Sequence, residues 1–420
     1  MMSDREQISG ISAEKAVISP EFSKASDIEK ETAPVGPIGL IALKGTENLA
    51  AVINSFLVEW RRERGLQERQ SLLFAGYEKD SYILNAETVR FGSGEGKGIV
   101  YDVSRGEDLY FLVDVTNYSI SYKVGGIRNH YSPDDHYQDL KRLISAAAGK
   151  AKRMTVIMPF LYEGRQHNRS SERESLDCAQ MLKELVGMGV TNIITFDAND
   201  PRVQNAIPLH SFDTFSPTYQ YIKALCRNYS DIDFDSEHLT VVSPDEGGMR
   251  RAIYFANVLG VDMGMFYVRK DYSQMINGKN PIIAHEFLGP DVAGRDVIIV
   301  DDMISSGDTV LDVALHLKER NARRVFACVT FGLFTNGLHE FDEAYRNGII
   351  DKIFTTNLIY QSPELLAREW YANVNMGKYI ALMIDLLNHD YSISKLLNPT
   401  DRINRLLADY RRKRNDKVQE

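Results

Sequence analysis

Cysteine is scarce in this chain of 420 residues: Cys178, Cys226 and Cys328 are the only three. They lie too far apart for a zinc motif and are too few for a disulfide framework, so a reducing cytoplasm is the expected setting. Long hydrophobic runs are also missing. No apolar stretch reaches the roughly 18 residues needed to cross a bilayer, and the polar N-terminus has no signal-peptide core, so no membrane association is expected. Basic residues are outnumbered, and a net charge of −9 argues against a dedicated nucleic-acid binder. What remains is 44% hydrophobic and 25% charged, the composition of a globular protein long enough for about two domains.

The chain is organised around Arg295 to Leu317, RDVIIVDDMISSGDTVLDVALHL. Asp296 to Val300 is an apolar, β-branched run suited to a buried strand, and it ends on two adjacent acids, Asp301 and Asp302. Small and hydroxylated residues follow, Ser305, Ser306, Gly307, Asp308 and Thr309. Val310, Val313, Ala314 and Leu317 then recur at helical spacing. Backbone amides at the start of that helix, together with the hydroxyls, would face an anion such as a phosphate. The two acids cannot hold phosphate directly but suit sugar hydroxyls or a metal ion. A ribose 5-phosphate would satisfy both halves of the stretch. Ordinary α/β architecture also produces a strand, an acidic turn and a helix, so residue types alone leave that reading open.

Elsewhere strand and helix patterns alternate. Ile38 to Leu43 reads as a strand, and Thr46 is placed to cap a helix with Leu49, Val52, Ile53, Phe56 and Leu57 on its apolar face. Helix 136–149 leads to strand Met154 to Met158, and helix 175–187 to strand Asn192 to Phe196. After about residue 215 a helix near 216–227, strand Leu239 to Ser243, helix 247–259 and strand Met263 to Val268 lead into the central stretch. Such alternation implies mainly parallel sheets flanked by helices, with ligands gathered at the carboxyl ends of strands. The expected division is a flexible N-terminal extension over 1–36, an α/β domain over 37–210, a second over 211–397, and a basic C-terminal helix over 398–420.

VIIVDDMISSGDT resembles the phosphoribosyl-pyrophosphate binding motif of the type I phosphoribosyltransferase fold, shared by nucleobase phosphoribosyltransferases and ribose-phosphate pyrophosphokinases. Ser243-Pro244-Asp245-Glu246-Gly247-Gly248 before Arg250 and Arg251 resembles the pyrophosphate-binding segment of the pyrophosphokinases. Pro159 to Gln166, ending Arg165-Gln166, is similar to their ATP-holding segment, and Val89 to Glu95 to their turn of Phe, Gly and Glu. Ser132 to His136, Thr355 to Asn357 and Asp390 to Ser394 also keep that family's order, so the resemblance covers roughly residues 38–397.

The resemblance implies two phosphoribosyltransferase-like domains and transfer of diphosphate from ATP to ribose 5-phosphate with magnesium. Asp301 and Asp302 would hold the ribose hydroxyls, and Ser305 to Thr309 the 5-phosphate. Asp245 and Asn199 would face magnesium, and Arg165 and Gln166 the ATP. Phe91 and Glu95 would reach a nucleotide from a neighbouring subunit of a homo-oligomer. Arg269 and Lys270, at the start of a loop that is mobile in the family, would stabilise the transferring group. Three departures stand out. Asn199 replaces a usual His and cannot titrate near neutrality, Arg269 and Lys270 are adjacent rather than spaced, and the loop carries Ser305 and Asp308 where many members have an acid and a Gly. They leave a catalytically weak regulatory paralogue as an alternative. A phosphoribosyltransferase is another, although such enzymes generally lack the upstream half.

Overall fold

The computed structural model describes residues 33–66, 75–169, 171–270 and 282–419. Most of the expected extension and the loop after Lys270 lie outside the described residues. Two sheets dominate. The first is fully parallel, in the order β1-β4-β7-β8-β9, from β1 (Ile38–Ala42), β4 (Asp108–Leu112), β7 (Arg153–Ile157), β8 (Asn192–Phe196) and β9 (Ser211–Phe215). The second has the order β12-β11-β10-β13-β14-β15-β16, from β10 (Leu239–Ser243), β11 (Asp262–Lys270), β12 (Ile282–Leu288), β13 (Asp296–Ile304), β14 (Arg324–Gly332), β15 (Lys352–Thr356) and β16 (Tyr371–Val374). Only β11 and β12 pair antiparallel there. Two hairpins complete the strands: β2 (Ala86–Arg90) with β3 (Gly96–Val100), and β5 (Ser121–Val124) with β6 (Ile127–His130).

Buried β-branched residues explain the sheets' centres. Val297, Ile298, Ile299 and Val300 of β13 are almost fully enclosed, as are Val325 to Val329 of β14, because a parallel sheet with helices on both faces hides every side chain. The covering helices are α1 (Glu47–Leu66), α2 (Pro133–Ala147), α3 (Asp177–Gly187), α4 (Thr218–Asn228), α5 (Met249–Leu259), α6 (Asp308–Glu319), α7 (His339–Arg346), α8 (Gly377–Asn388) and α9 (Thr400–Gln419). Val310, Val313, Ala314 and Leu317 are the buried face of α6, as their spacing predicts.

Three details differ from the sequence-based expectations. The sheets divide after Phe215, not at residue 210, because β9 pairs with β8 over Asn192↔Ser211 to Phe196↔Phe215. Residues 35 and 36 are docked rather than part of a free extension: Val35 N donates to Asn388 O (2.7 Å) and Gly36 O accepts from Asn388 Nδ2 (3.0 Å). The Thr46 hydroxyl donates to Leu43 O and Leu112 O instead of capping α1, since β1 and β4 present those carbonyls to a buried side chain that must bond something.

One helix crosses between the halves. α8, from the C-terminal part of the chain, covers the first sheet: Asn388 Nδ2 donates to Asp108 Oδ2 (2.8 Å), and Arg153 Nη2 donates to Leu387 O (2.7 Å). On α1, Arg61 is wholly buried and donates to Asn388 Oδ1 (2.6 Å), and Arg64 pairs with Asp385 of α8. α4, which follows Phe215, stays with the second sheet: Tyr229, at its C-terminal end, has its ring 4.8 Å from Phe326. One hydrophobic core therefore runs from Tyr110 and Ile157 of the first sheet to Val300 and Phe326 of the second. The basic helix α9 docks rather than standing in solvent: Arg414 pairs with Asp233, and Arg411 donates to Phe234 O (2.9 Å).

Candidate active site

The carboxyl ends of β8, β10 and β13 meet across the two halves. β13 runs past its apolar stretch, and Asp301 and Asp302 sit on its last turns, half-buried. Their backbone is fixed by pairing with β14, Asp301↔Val329 and Met303↔Phe331. Gly307 follows at φ +105, where a Cβ would lie 2.2 Å from Phe341 Cζ, so glycine alone lets the chain turn sharply into α6. No side chain caps α6 at Gly307; the Ser306 hydroxyl bonds Asp308 Oδ2 instead (2.9 Å). The first-turn amides and the positive end of the helix dipole are thus left to face an anion.

The turn after β10 is built by similar means. Asp245 Oδ1 accepts from Gly248 N (3.0 Å) and Asp245 O from the Ser243 hydroxyl (2.7 Å), leaving Asp245 exposed. A Cβ at Gly248 would lie 2.7 Å from Ser243 Oγ, so this turn too is closed by glycine. From the first half, Pro159 O accepts from Phe196 N (3.1 Å) and from the Thr195 hydroxyl (2.9 Å), binding the end of β7 to β8. Phe160 then meets Phe331 edge-on at 5.1 Å, and so docks the Arg165-Gln166 loop against the second half. Arg165 and Gln166 are exposed beyond it.

Asn199, on the loop after β8, is exposed with its Nδ2 3.3 Å from His167 Nδ1. Among the described residues no group of three or more His, Cys, Asp or Glu side chains could hold a metal unaided. The Asp245 carboxylate and the Asn199 amide oxygen are exposed hard donors, and magnesium is commonly held by one or two such groups plus substrate phosphates. Each is a donor type that suits the ion. Phe91 (52% exposed) and Glu95 lie on the β2–β3 turn, where Phe91 N donates to Glu95 O (2.8 Å). They project from the hairpin and do not join the acids. Arg269 and Lys270 end β11 at a register shift, and their side chains lie outside the described residues.

Two residues given no role by the sequence reading prove central. Arg251, from the first turn of α5, has its Nη1 3.7 Å from Asp301 and its Nη2 3.7 Å from Asp302. Its Nε is 3.9 Å from Asp197, at the end of β8 in the other half. Asp197 is held at φ +36 and accepts from the Thr330 hydroxyl of β14. Burial would lower the Arg251 pKa, and the three carboxylates override it and raise it. Burial, then the neighbouring Asp302, pushes the Asp301 carboxyl up to about 8 against the pull of Arg251. Burial raises Asp197 as well, again opposed by Arg251. A carboxyl that keeps its proton can donate to one hydroxyl of a diol and accept from the other. The signal for Arg251 was its place in Pro244 to Ala252, but only the fold brings Asp197 to it.

An acid pair over a glycine-closed anion turn, at the strand ends of one lobe and facing a second α/β lobe, defines a phosphoribosyltransferase-type protein of two lobes. Family models agree: residues 38–189 match the N-terminal domain of ribose phosphate pyrophosphokinase, and residues 215–364 match the phosphoribosyl transferase domain. The chain is 30% identical over 220 residues to a ribose-phosphate pyrophosphokinase of Ureaplasma parvum, covering 52% of this chain and 63% of that one. It is 27% identical over 318 residues to the enzyme of the same name from Vibrio cholerae, covering 75% and 91%. The fold matches phosphoribosylpyrophosphate synthetase from Mycobacterium smegmatis with a TM-score of 0.63 at 19% identity, over 84% of this chain and 99% of that one. The chain belongs to the ribose-phosphate pyrophosphokinase family.

Proposed function

We propose that this chain transfers the diphosphoryl group of ATP to the anomeric hydroxyl of ribose 5-phosphate, giving phosphoribosyl pyrophosphate and AMP. The observation that carries the reading is the pairing of Asp301 and Asp302 with the uncapped, glycine-closed start of α6. The acids would hold the 2- and 3-hydroxyls, and Ser305 to Thr309 would wrap the 5-phosphate, directing the anomeric oxygen toward the first half. That oxygen attacks the β-phosphorus, the bond from that phosphorus to the α,β-bridging oxygen breaks, the electron pair leaves with AMP, and the hydroxyl proton passes to solvent.

Arg165 and Gln166 would hold the triphosphate and adenine edges, and Phe91 with Glu95 a nucleotide across a subunit boundary of a homo-oligomer. Arg269 and Lys270 would neutralise charge on the transferring group, where positioning and electrostatics supply most of the catalysis. Magnesium, held by Asp245 and Asn199 together with phosphate oxygens, would supply the countercharge of the polyphosphate. Asn199 also supports a second reading, a weak regulatory paralogue, because an amide is a poorer cation ligand than an imidazole or carboxylate. ATP labelled at its β-phosphorus distinguishes the two: label recovered in a sugar product supports transfer, and label remaining in ATP while ribose 5-phosphate binds supports the paralogue.

A further inference from the structure

We propose that Arg251 is a positioning residue that couples the sugar-binding acids to the nucleotide-side half of the cleft. It would set Asp301 and Asp302 toward the ribose and tie them, through Asp197, to the loop bearing Asn199. The proposal rests on the sugar site argued above. The guanidinium has a different carboxylate opposite each of its three nitrogens, Asp197 at 3.9 Å and Asp301 and Asp302 at 3.7 Å each. A planar fork can address three acids at once, and a lysine ammonium on a flexible stem cannot hold that arrangement. These separations exceed a normal hydrogen bond, so the charge attracts the carboxylates without occupying their lone pairs, which stay available to hydroxyls. The Arg251 side chain is only 15% exposed, so the attraction is weakly screened. Asp197 belongs to the first half through Asp197 N to Phe215 O (2.9 Å), and to the second through Thr330. Arg251 and Asp197 thus join the two halves at the cleft itself. A shift of the acids on sugar binding changes the field at Asp197, two residues from Asn199.

The test measures ribose 5-phosphate binding to the full chain by calorimetry, with and without saturating AMP. The variants are Arg251→Met, Arg251→Lys and Asp197→Asn, with melting temperatures as the check on folding. In the wild type, AMP is expected to change the Kd for ribose 5-phosphate. R251M is expected to weaken sugar binding by roughly thirtyfold or more, the scale for removing one partner of a buried charge set, and to reduce the AMP effect to none. R251K should recover part of the affinity and less of the coupling. D197N should lose the coupling while keeping most of the affinity. In steady state the KM for ribose 5-phosphate should rise far more than the KM for ATP. The proposal is overturned by a wild type without an AMP effect, by R251M with affinity and coupling within twofold of wild type, or by losses in R251M and R251K that match only their melting temperatures. A wild type that binds AMP but no ribose 5-phosphate overturns the sugar site itself, and the coupling with it.

Discussion

Replacing Gly307 by alanine tests whether the turn from β13 into α6 is shaped for its ligand. At φ +105 an L-residue is strained, at a cost of roughly 1–3 kcal/mol. The new Cβ would also fall 2.2 Å from Phe341 Cζ and 2.6 Å from Cε2. Phe341 cannot readily yield. It is fully buried on α7, stacked on Trp370 at 5.4 Å and edge-on to Phe334 at 5.0 Å. Overpacking of that kind costs roughly 1–3 kcal/mol more. The sum is about 2–6 kcal/mol, or a fall in melting temperature of about 4–24 °C for a lobe of this size. The same displacement moves the α6 amides, so affinity for ribose 5-phosphate should fall by roughly tenfold or more even well below the melting point, while binding of ATP is little changed. Thermal unfolding followed by circular dichroism, with calorimetry for the two ligands, reads both effects. A variant that melts within a degree of wild type and binds ribose 5-phosphate equally well would refute both the strain and the anion turn.

Asp385→Asn should cost on the order of 3–5 kcal/mol at neutral pH, because Arg61 would be left buried without its countercharge; urea unfolding measures it. The Asp385 carboxyl is held well below the carboxylate range because Arg64 and Arg61 override the burial that alone would raise it. Its stabilisation is therefore present above the unfolded value near 4 and lost as pH falls through the folded one, so the variant should show a flatter acid-unfolding curve than wild type. Gly248→Ala should raise the KM for magnesium-ATP several-fold with the melting temperature largely kept, since the clash is with the single Ser243 hydroxyl; steady-state kinetics decide. Tyr410→Phe should destabilise by about 1 kcal/mol, because its hydroxyl accepts from Ile232 N (3.1 Å) and bonds Tyr229 O (3.1 Å), and a shift in the urea midpoint reports whether α9 is docked.

Much of the second lobe was legible because buried parallel strands advertise themselves. The readings of β10 and β8 end on the observed residues, and the α6 face was correct at all four positions. The hairpins were harder, since Gly96 and Gly98 weaken the strand pattern of β3 and the alternation of Ser121 to Val124 is only four residues long. Residue 210 failed as a boundary because the pairing that keeps β9 in the first sheet is nonlocal. The placement of α8 on the first sheet was illegible for the same reason. Asp301, Asp302 and the loop after them could be read locally, since one strand–turn–helix unit carries them all. Arg251 and Asp197 are 54 residues apart in sequence and meet only once both lobes are built.

The most direct test of the account is AMP release from ATP by the purified chain alone, with magnesium and ribose 5-phosphate, beside an Asp301→Ala, Asp302→Ala double variant. The account predicts release that requires ribose 5-phosphate and is lost in the double variant. No release from a wild type that binds ribose 5-phosphate saturably, or equal release from both proteins, would contradict it.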